Sequence, residues 1–195
     1  MHPRKLSSMT LIVLAASLLV ACQPYRFKGT EYIDPQPAPD FELTRADGGR
    51  LRLGDLRRQV VLMFFGFTSC PDVCPTTLTD AKRILKELGN KAEQVAFLFI
   101  PVDPERDTPE VLQKYVAAFH PAIVGLTGEP EELARVQQDY GIFSEKVLLD
   151  NSALGYTVDH TARVMVIDAE GRLRLSYGFG TPYEDILQDV QHLLP

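Results

Sequence analysis

From Val60 to Phe67 the chain reads Val-Val-Leu-Met-Phe-Phe-Gly-Phe, an almost unbroken apolar run, and Cys70-Pro71-Asp72-Val73-Cys74-Pro75 follows directly. Such a run predicts a central strand buried on both faces. A helical pattern follows from about Pro75 to Leu88, with Leu78, Ala81, Leu85 and Leu88 on one face and Gly89 as a stop. A buried strand that delivers two cysteines to the start of a helix restricts the chain to an α/β sheet. In open α/β sheets chemistry collects outside the carboxyl ends of the strands. Each proline disfavours helix at the residue before it, so the cysteines are expected to flank one tight turn ahead of the regular helix.

The rest of the chain fits around that unit. Phe41–Thr44 and Leu51–Leu53 alternate about Ala46-Asp47-Gly48-Gly49, which predicts a hairpin. Val95–Val102 is a second buried strand, and Thr108-Pro109-Glu110 opens a helix with Asp107 or Thr108 as its cap. A short strand at Ile123–Leu126 and a helix from Pro130 to Tyr140 come next. Ser144–Asp159 is polar and rich in turn residues. Ala162–Asp168 and Arg172–Tyr177 form a clear hairpin, and Thr181-Pro182-Tyr183-Glu184 reads as a capping box opening a last helix to about Leu194. This order predicts a thioredoxin-like α/β fold with an N-terminal β-hairpin extension and an insertion before the last hairpin. A general doubly wound domain fits less well, because the chain closes on an antiparallel pair.

The N-terminus predicts export. Arg4 and Lys5 precede an apolar stretch, Met9–Ala21, that is short for a membrane span and ends in Leu19-Val20-Ala21-Cys22, the pattern of a bacterial lipobox. Residues 1–21 are read as a lipoprotein signal peptide, Cys22 as the lipidated residue, 22–40 as a proline-rich tether, and 41–195 as the folded domain. The domain then lies in the periplasmic space of a bacterial envelope, bound to membrane through the lipid. The formal charge of −6 becomes −8 once Arg4 and Lys5 are removed. An acidic domain without a Lys/Arg run argues against nucleic acid and against electrostatic adhesion to anionic lipid.

Cys70 and Cys74 remain for chemistry. Outside a reducing cytosol two cysteines four apart form a disulfide or hold a metal. The positive end of the following helix favours thiolate. Two thiolates select a soft ion, and Cu(I) accepts low coordination; a closed zinc site wants a fourth ligand, and no convincing one is present. His120, beside Pro121, and His192, in the last helix, read as surface or capping residues. His160 lies in Val158-Asp159-His160-Thr161, before a core strand, where thioredoxin topology brings a loop beside the cysteine turn. It is the candidate third ligand.

Three blocks together, Cys-Pro-Asp-Val-Cys-Pro at 70–75, Pro-Val-Asp-Pro-Glu-Arg-Asp-Thr-Pro at 101–109 and Val-Asp-His at 158–160, resemble the Sco/SenC family over roughly residues 36–195. The resemblance implies a thioredoxin-fold copper protein that helps assemble the dinuclear copper centre of cytochrome c oxidase. It implies one copper per chain, as Cu(I) or Cu(II), on Cys70, Cys74 and His160. The implied partner is the oxidase subunit that carries the copper site, or another copper chaperone. Asp103 and Asp107, with Arg106, are read either as neighbours that tune the site or as a cap and an internal ion pair shaping the strand–helix turn; Asp159 is a candidate to orient His160. The second functional reading is a thiol–disulfide oxidoreductase that uses Cys70 and Cys74 to keep a client's cysteines reduced. The three-residue spacer and a histidine in place of the thioredoxin loop proline speak against it. A peroxidase fits poorly because Thr68 is only two residues before Cys70, and a redox or copper sensor is the remaining alternative.

Overall fold

The computed structural model describes residues 24–150 and 152–195. The proposed signal peptide and Cys22 lie outside the described residues. Ten strands and four helices, among the described residues, are β1 (Thr30–Glu31), β2 (Glu42–Arg45), β3 (Arg50–Arg52), β4 (Val60–Gly66), α1 (Val73–Leu88), β5 (Val95–Pro101), α2 (Pro109–Phe119), β6 (Ile123–Thr127), α3 (Pro130–Asp139), β7 (Ser144–Leu148), β8 (Tyr156–His160), β9 (Arg163–Ile167), β10 (Leu173–Gly178) and α4 (Tyr183–Leu193).

Among the described residues, eight strands form one sheet in the order β1-β10-β9-β4-β5-β6-β2-β3, while β7 and β8 pair only with each other. All seven residues of β4 are buried, as are all seven of β5. The two pair in parallel from Val60↔Val95 to Gly66↔Pro101. Continuous apolar sequence without alternation is what a strand covered on both faces requires. β9 runs antiparallel to β4 and β10 antiparallel to β9, which gives the expected closing hairpin. The expected N-terminal hairpin is β2–β3, joined to the sheet through β2 and β6.

The helix after β4 starts earlier than expected. Cys74 lies in its first turn, not ahead of it, and Thr76 N–H already donates to the Asp72 carbonyl at 3.1 Å. Pro75 is tolerated there because first-turn N–H groups have no helical acceptor. Leu78, Ala81, Leu85 and Leu88 are buried as expected, and Gly89 ends the helix at φ +55°. Thr108 caps α2 through Val111 N–H at 3.4 Å. The capping box expected at Thr181 does not form: its hydroxyl donates to the Gly178 carbonyl at 2.8 Å, and Pro182 occupies the cap position.

Two further segments depart from the sequence reading. The stretch Ser144–Asp159, read as irregular, is largely a hairpin running to His160. Its register is Ser144↔His160, Lys146↔Val158 and Leu148↔Tyr156. The proline-rich stretch before Phe41 is extended but not free. Tyr25, Lys28 and Gly29 are fastened to Asp189, β1 adds to the sheet edge, and Ala38 N–H donates to the Gly171 carbonyl at 2.9 Å. Backbone groups along an open sheet edge supply partners that a count of apolar side chains does not register.

Candidate metal centre

The cysteine turn caps the carboxyl end of β4. Gly66 closes the strand because any side chain there would collide: a Cβ would stand 2.8 Å from the Phe64 ring, 2.9 Å from Cys74 Sγ and 3.1 Å from the Phe99 ring. This absent side chain makes room for the deeper sulfur. Cys74 is fully buried and Cys70 partly so. Cys74 N–H donates to Cys70 Sγ at 3.4 Å, so the outer sulfur sits over the opening turn of α1. No disulfide joins them.

The pair divides one charge. The Cys74 thiol directed at Cys70, then the His160 imidazole and the N–H groups of Cys74 and Asp72, hold Cys70 down to about 4 against the opposing effect of burial. Cys74 moves the other way, far above an ordinary thiol, first through its bond to Cys70 and then through burial. The opposite directions favour the thiolate at Cys70 and the thiol, donating to it, at Cys74.

His160, the last residue of β8, reaches this pair from across the groove. Its Nε2 lies 3.9 Å from Cys74 Sγ, and its Nδ1 lies 3.2 Å from the Thr161 carbonyl. The ring thus turns Nδ1 toward that carbonyl and Nε2 toward the sulfurs. Phe67 and Phe64 hold the ring edge-on at 5.7 and 6.2 Å between centroids. A sulfur and an imidazole nitrogen bound to one ion in trigonal geometry stand about 3.8 Å apart at bond lengths of about 2.3 and 2.05 Å. The observed 3.9 Å fits that requirement. Among the described residues, no group of three or more His, Cys, Asp or Glu side chains is placed closely enough to hold a metal ion as it stands.

Asp103, Arg106 and Asp107 support the site from behind. Asp107 accepts from Thr68 twice, through the hydroxyl at 2.6 Å and the N–H at 3.1 Å, and so fixes the loop that leads to Cys70. Burial pushes Asp107 up to about 6 despite these bonds. Asp103, whose side chain is fully buried, pairs with Arg106 and accepts from the Tyr156 hydroxyl at 2.9 Å. Arg106 also donates to the Tyr156 carbonyl at 3.0 Å and stacks 3.8 Å from the centre of its ring. The internal Asp–Arg pair read from the sequence exists, and it also pins β8, the strand that carries His160. Tyr156 escaped the sequence reading. Its signal was an aromatic four residues before His160, on the same face of a strand that went unrecognised.

Asp159 is exposed and lies opposite Glu145 across the hairpin, on the alternate face to His160. The imidazole's Nδ1 contact is to Thr161, not to Asp159. His120 and His192 stand apart from the site: His120 Nδ1 accepts from Ala122 N–H at 3.2 Å, and His192 stacks on Tyr25 at 3.9 Å.

Fold and site together define a thioredoxin-like domain whose dithiol turn faces an imidazole from an inserted hairpin. The chain belongs to the SCO1/SenC family, whose profile matches residues 31–195. It resembles Sco1 of Thermus thermophilus, solved in its apo form, at 42% identity and TM-score 0.77, over 89% of this chain and 100% of that one. It resembles ScoI of Bradyrhizobium japonicum, solved with copper bound, at 36% identity and TM-score 0.74, over 82% and 100%. A SCO1/SenC family lipoprotein of Bacillus anthracis aligns at 26% identity and TM-score 0.72, over 87% and 100%.

Proposed function

We propose that this chain is a copper metallochaperone that helps to assemble the dinuclear copper centre of a cytochrome c oxidase, with one copper as its cargo on Cys70, Cys74 and His160. The observation that carries this reading is His160 Nε2 at 3.9 Å from Cys74 Sγ, beside a Cys70 held as thiolate. The copper-bound relative from Bradyrhizobium japonicum supports it. Cys70 is the outer donor and already ionised, so it meets arriving copper first. Cys74 lies deeper and gives up its proton on loading, which couples copper affinity to pH. A rim open to solvent lets a recipient's ligands replace these donors one at a time.

The anchor belongs to the same proposal. Cys22, in Leu19-Val20-Ala21-Cys22, carries the lipid and holds the domain on the periplasmic side of a bacterial membrane. The Bacillus anthracis lipoprotein supports it. No helix among the described residues is long and apolar enough to cross a membrane. The recipient is the oxidase's copper-site subunit or a further copper chaperone.

Reduced protein loaded anaerobically against a Cu(I) chelator tests the site. One copper per chain is expected, weakened at least 100-fold by either His160→Ala or Cys74→Ser. Equal retention by His160→Ala would remove the imidazole from the ligand set. The split ionisation of the pair favours one second reading, a dithiol reductase. In it the Cys70 thiolate attacks a client disulfide, Cys74 resolves the mixed disulfide, and an external thiol reductant restores the pair. Copper-independent reduction of a client disulfide, lost in Cys70→Ser and kept in His160→Ala, would identify it.

A further inference from the structure

We propose that the N-terminal strap, residues 25–36, is a membrane-facing surface that lays the lower edge of the sheet against the bilayer and points the cysteine turn away from it. This deepens the lipid-anchor reading and rests on it.

The strap is locked to the domain. The Asp189 carboxylate, fully buried, accepts from the Tyr25 hydroxyl at 2.7 Å, the Tyr177 hydroxyl at 2.8 Å, Lys28 N–H at 2.8 Å and Gly29 N–H at 2.9 Å. Charge-assisted bonds of this kind are roughly twice as strong as neutral ones. Gly29 passes so close to the Tyr177 ring that a Cβ would stand 2.6 Å from it. Tyr25 stacks on His192 and packs edge-on against Phe27 at 5.0 Å, and the Arg174 guanidinium lies 5.6 Å from the centre of the Phe27 ring. Only Gln23 and Pro24 separate Tyr25 from Cys22. Three residues span at most about 11 Å, so a lipid on Cys22 enters the bilayer beside this latch.

Sheet register gives the direction. Leu173 pairs with Ile167, which pairs with Val61, at the start of β4; Gly178 pairs with Arg163, near the cysteine end. Tyr32 N–H donates to the Arg174 carbonyl and Leu173 N–H to the Gln36 carbonyl, so residues 33–35 bulge from the edge at the Val61 level. β4 alone spans roughly 20 Å, which separates this level from the cysteine turn.

The bulge presents what a bilayer takes. Ile33 is 97% exposed, more than any other large hydrophobic among the described residues, and Asp34 beside it holds φ +56°. A left-handed aspartate turns the chain so that Ile33 projects outward. Arg26 and Lys28 are exposed on the same strap, and Arg57, Arg58 and Lys91 lie near the start of β4 and β5. Glu31, Asp34, Asp55, Glu93 and Glu170 share this end, so it is close to charge balance. The rim of the cysteine site is acidic instead, with Asp72, Glu105, Glu145 and Asp159 exposed against Lys146. Anionic headgroups repel the acidic rim and tolerate the balanced end.

The chain has no tryptophan, so an introduced one reports alone. Full-length lipidated Ile33→Trp and Phe179→Trp are placed in phosphatidylethanolamine–phosphatidylglycerol vesicles with brominated acyl chains. Phe179 is exposed and follows Gly178, at the cysteine end. At least twofold quenching of the Ile33→Trp protein, with the Phe179→Trp protein unchanged, is the expected result. Equal quenching of both variants, or none of Ile33→Trp in protein that floats with the vesicles, overturns the orientation and leaves the anchor standing. Protein that lacks the lipid mass and fails to float overturns the anchor and the orientation with it.

Discussion

The two halves of the site are built in different ways. The cysteine turn joins a fully buried strand to α1, and Asp107 ties the loop that leads into it. The β7–β8 hairpin that presents His160 shares no ladder with the main sheet. Every residue of β7 but Ser144 is exposed, and Val158 is the one buried residue of β8. What holds the hairpin is a side-chain clamp: Arg106 against Tyr156, Asp103 beneath both, and Lys146 paired with Glu105. One half of the candidate site is fixed by backbone and core, the other mainly by a few polar contacts. A carrier that must release its cargo gains from this difference, because the imidazole can withdraw while the sulfurs keep their frame.

Arg106→Ala should break the difference most severely. It leaves Asp103 buried and unpaired, a loss of about 3–5 kcal/mol in comparable cases. Cu(I) affinity should fall about 10–100-fold, as it does when groups supporting a ligand are removed. Alkylation of Cys70 by iodoacetamide should be unchanged, and a slowed reaction would mean that the two halves are not independent. Gly66→Ala attacks the other half. Its Cβ meets Cys74 Sγ, Phe64 and Phe99 together, for a loss of about 1–3 kcal/mol in denaturant unfolding. Amide exchange in β7–β8 should stay as it is.

A pH profile sharpens the asymmetry within the pair. With Cys70 at about 4, thiolate persists as pH falls from 7 to 5 and is lost through pH 4. The alkylation rate of reduced protein should be flat over the first interval and drop over the second. A tenfold rise per unit between pH 6 and 8 would show an ordinary thiol. Tyr156→Phe removes one hydrogen bond to Asp103, about 1 kcal/mol, and should speed exchange in the hairpin several-fold. Asp159→Asn should change Cu(I) affinity less than twofold, since Asp159 lies on the alternate face of β8.

The parts that were legible in the sequence share a cause. β4, β5 and α1 announce themselves because burial imposes an apolar pattern on them. β7 and β8 could not, because a hairpin exposed on most of its surface carries no alternation. Tyr25–Glu31 was legible as extended but not as docked: its chief partner, Asp189, is some 160 residues away and lies within an amphipathic helix like any other. Thr181 was misread because its hydroxyl had two acceptable uses, and the turn after Gly178 took it first.

The sequence by itself determined the cysteine turn, the sheet that holds it and, through three spaced motifs, the family. Local physics suffices for the strand, which must bury its apolar run, and for the cysteines' place at its carboxyl end; that the helix would begin at Val73 and take in Cys74 was not legible. Tertiary structure decided which cysteine carries the charge, how near His160 comes to it, and that Asp103 and Tyr156, 53 positions apart, steady that approach. Those outcomes depend on burial and on partners distant in the chain, and both exist only once the sheet has closed.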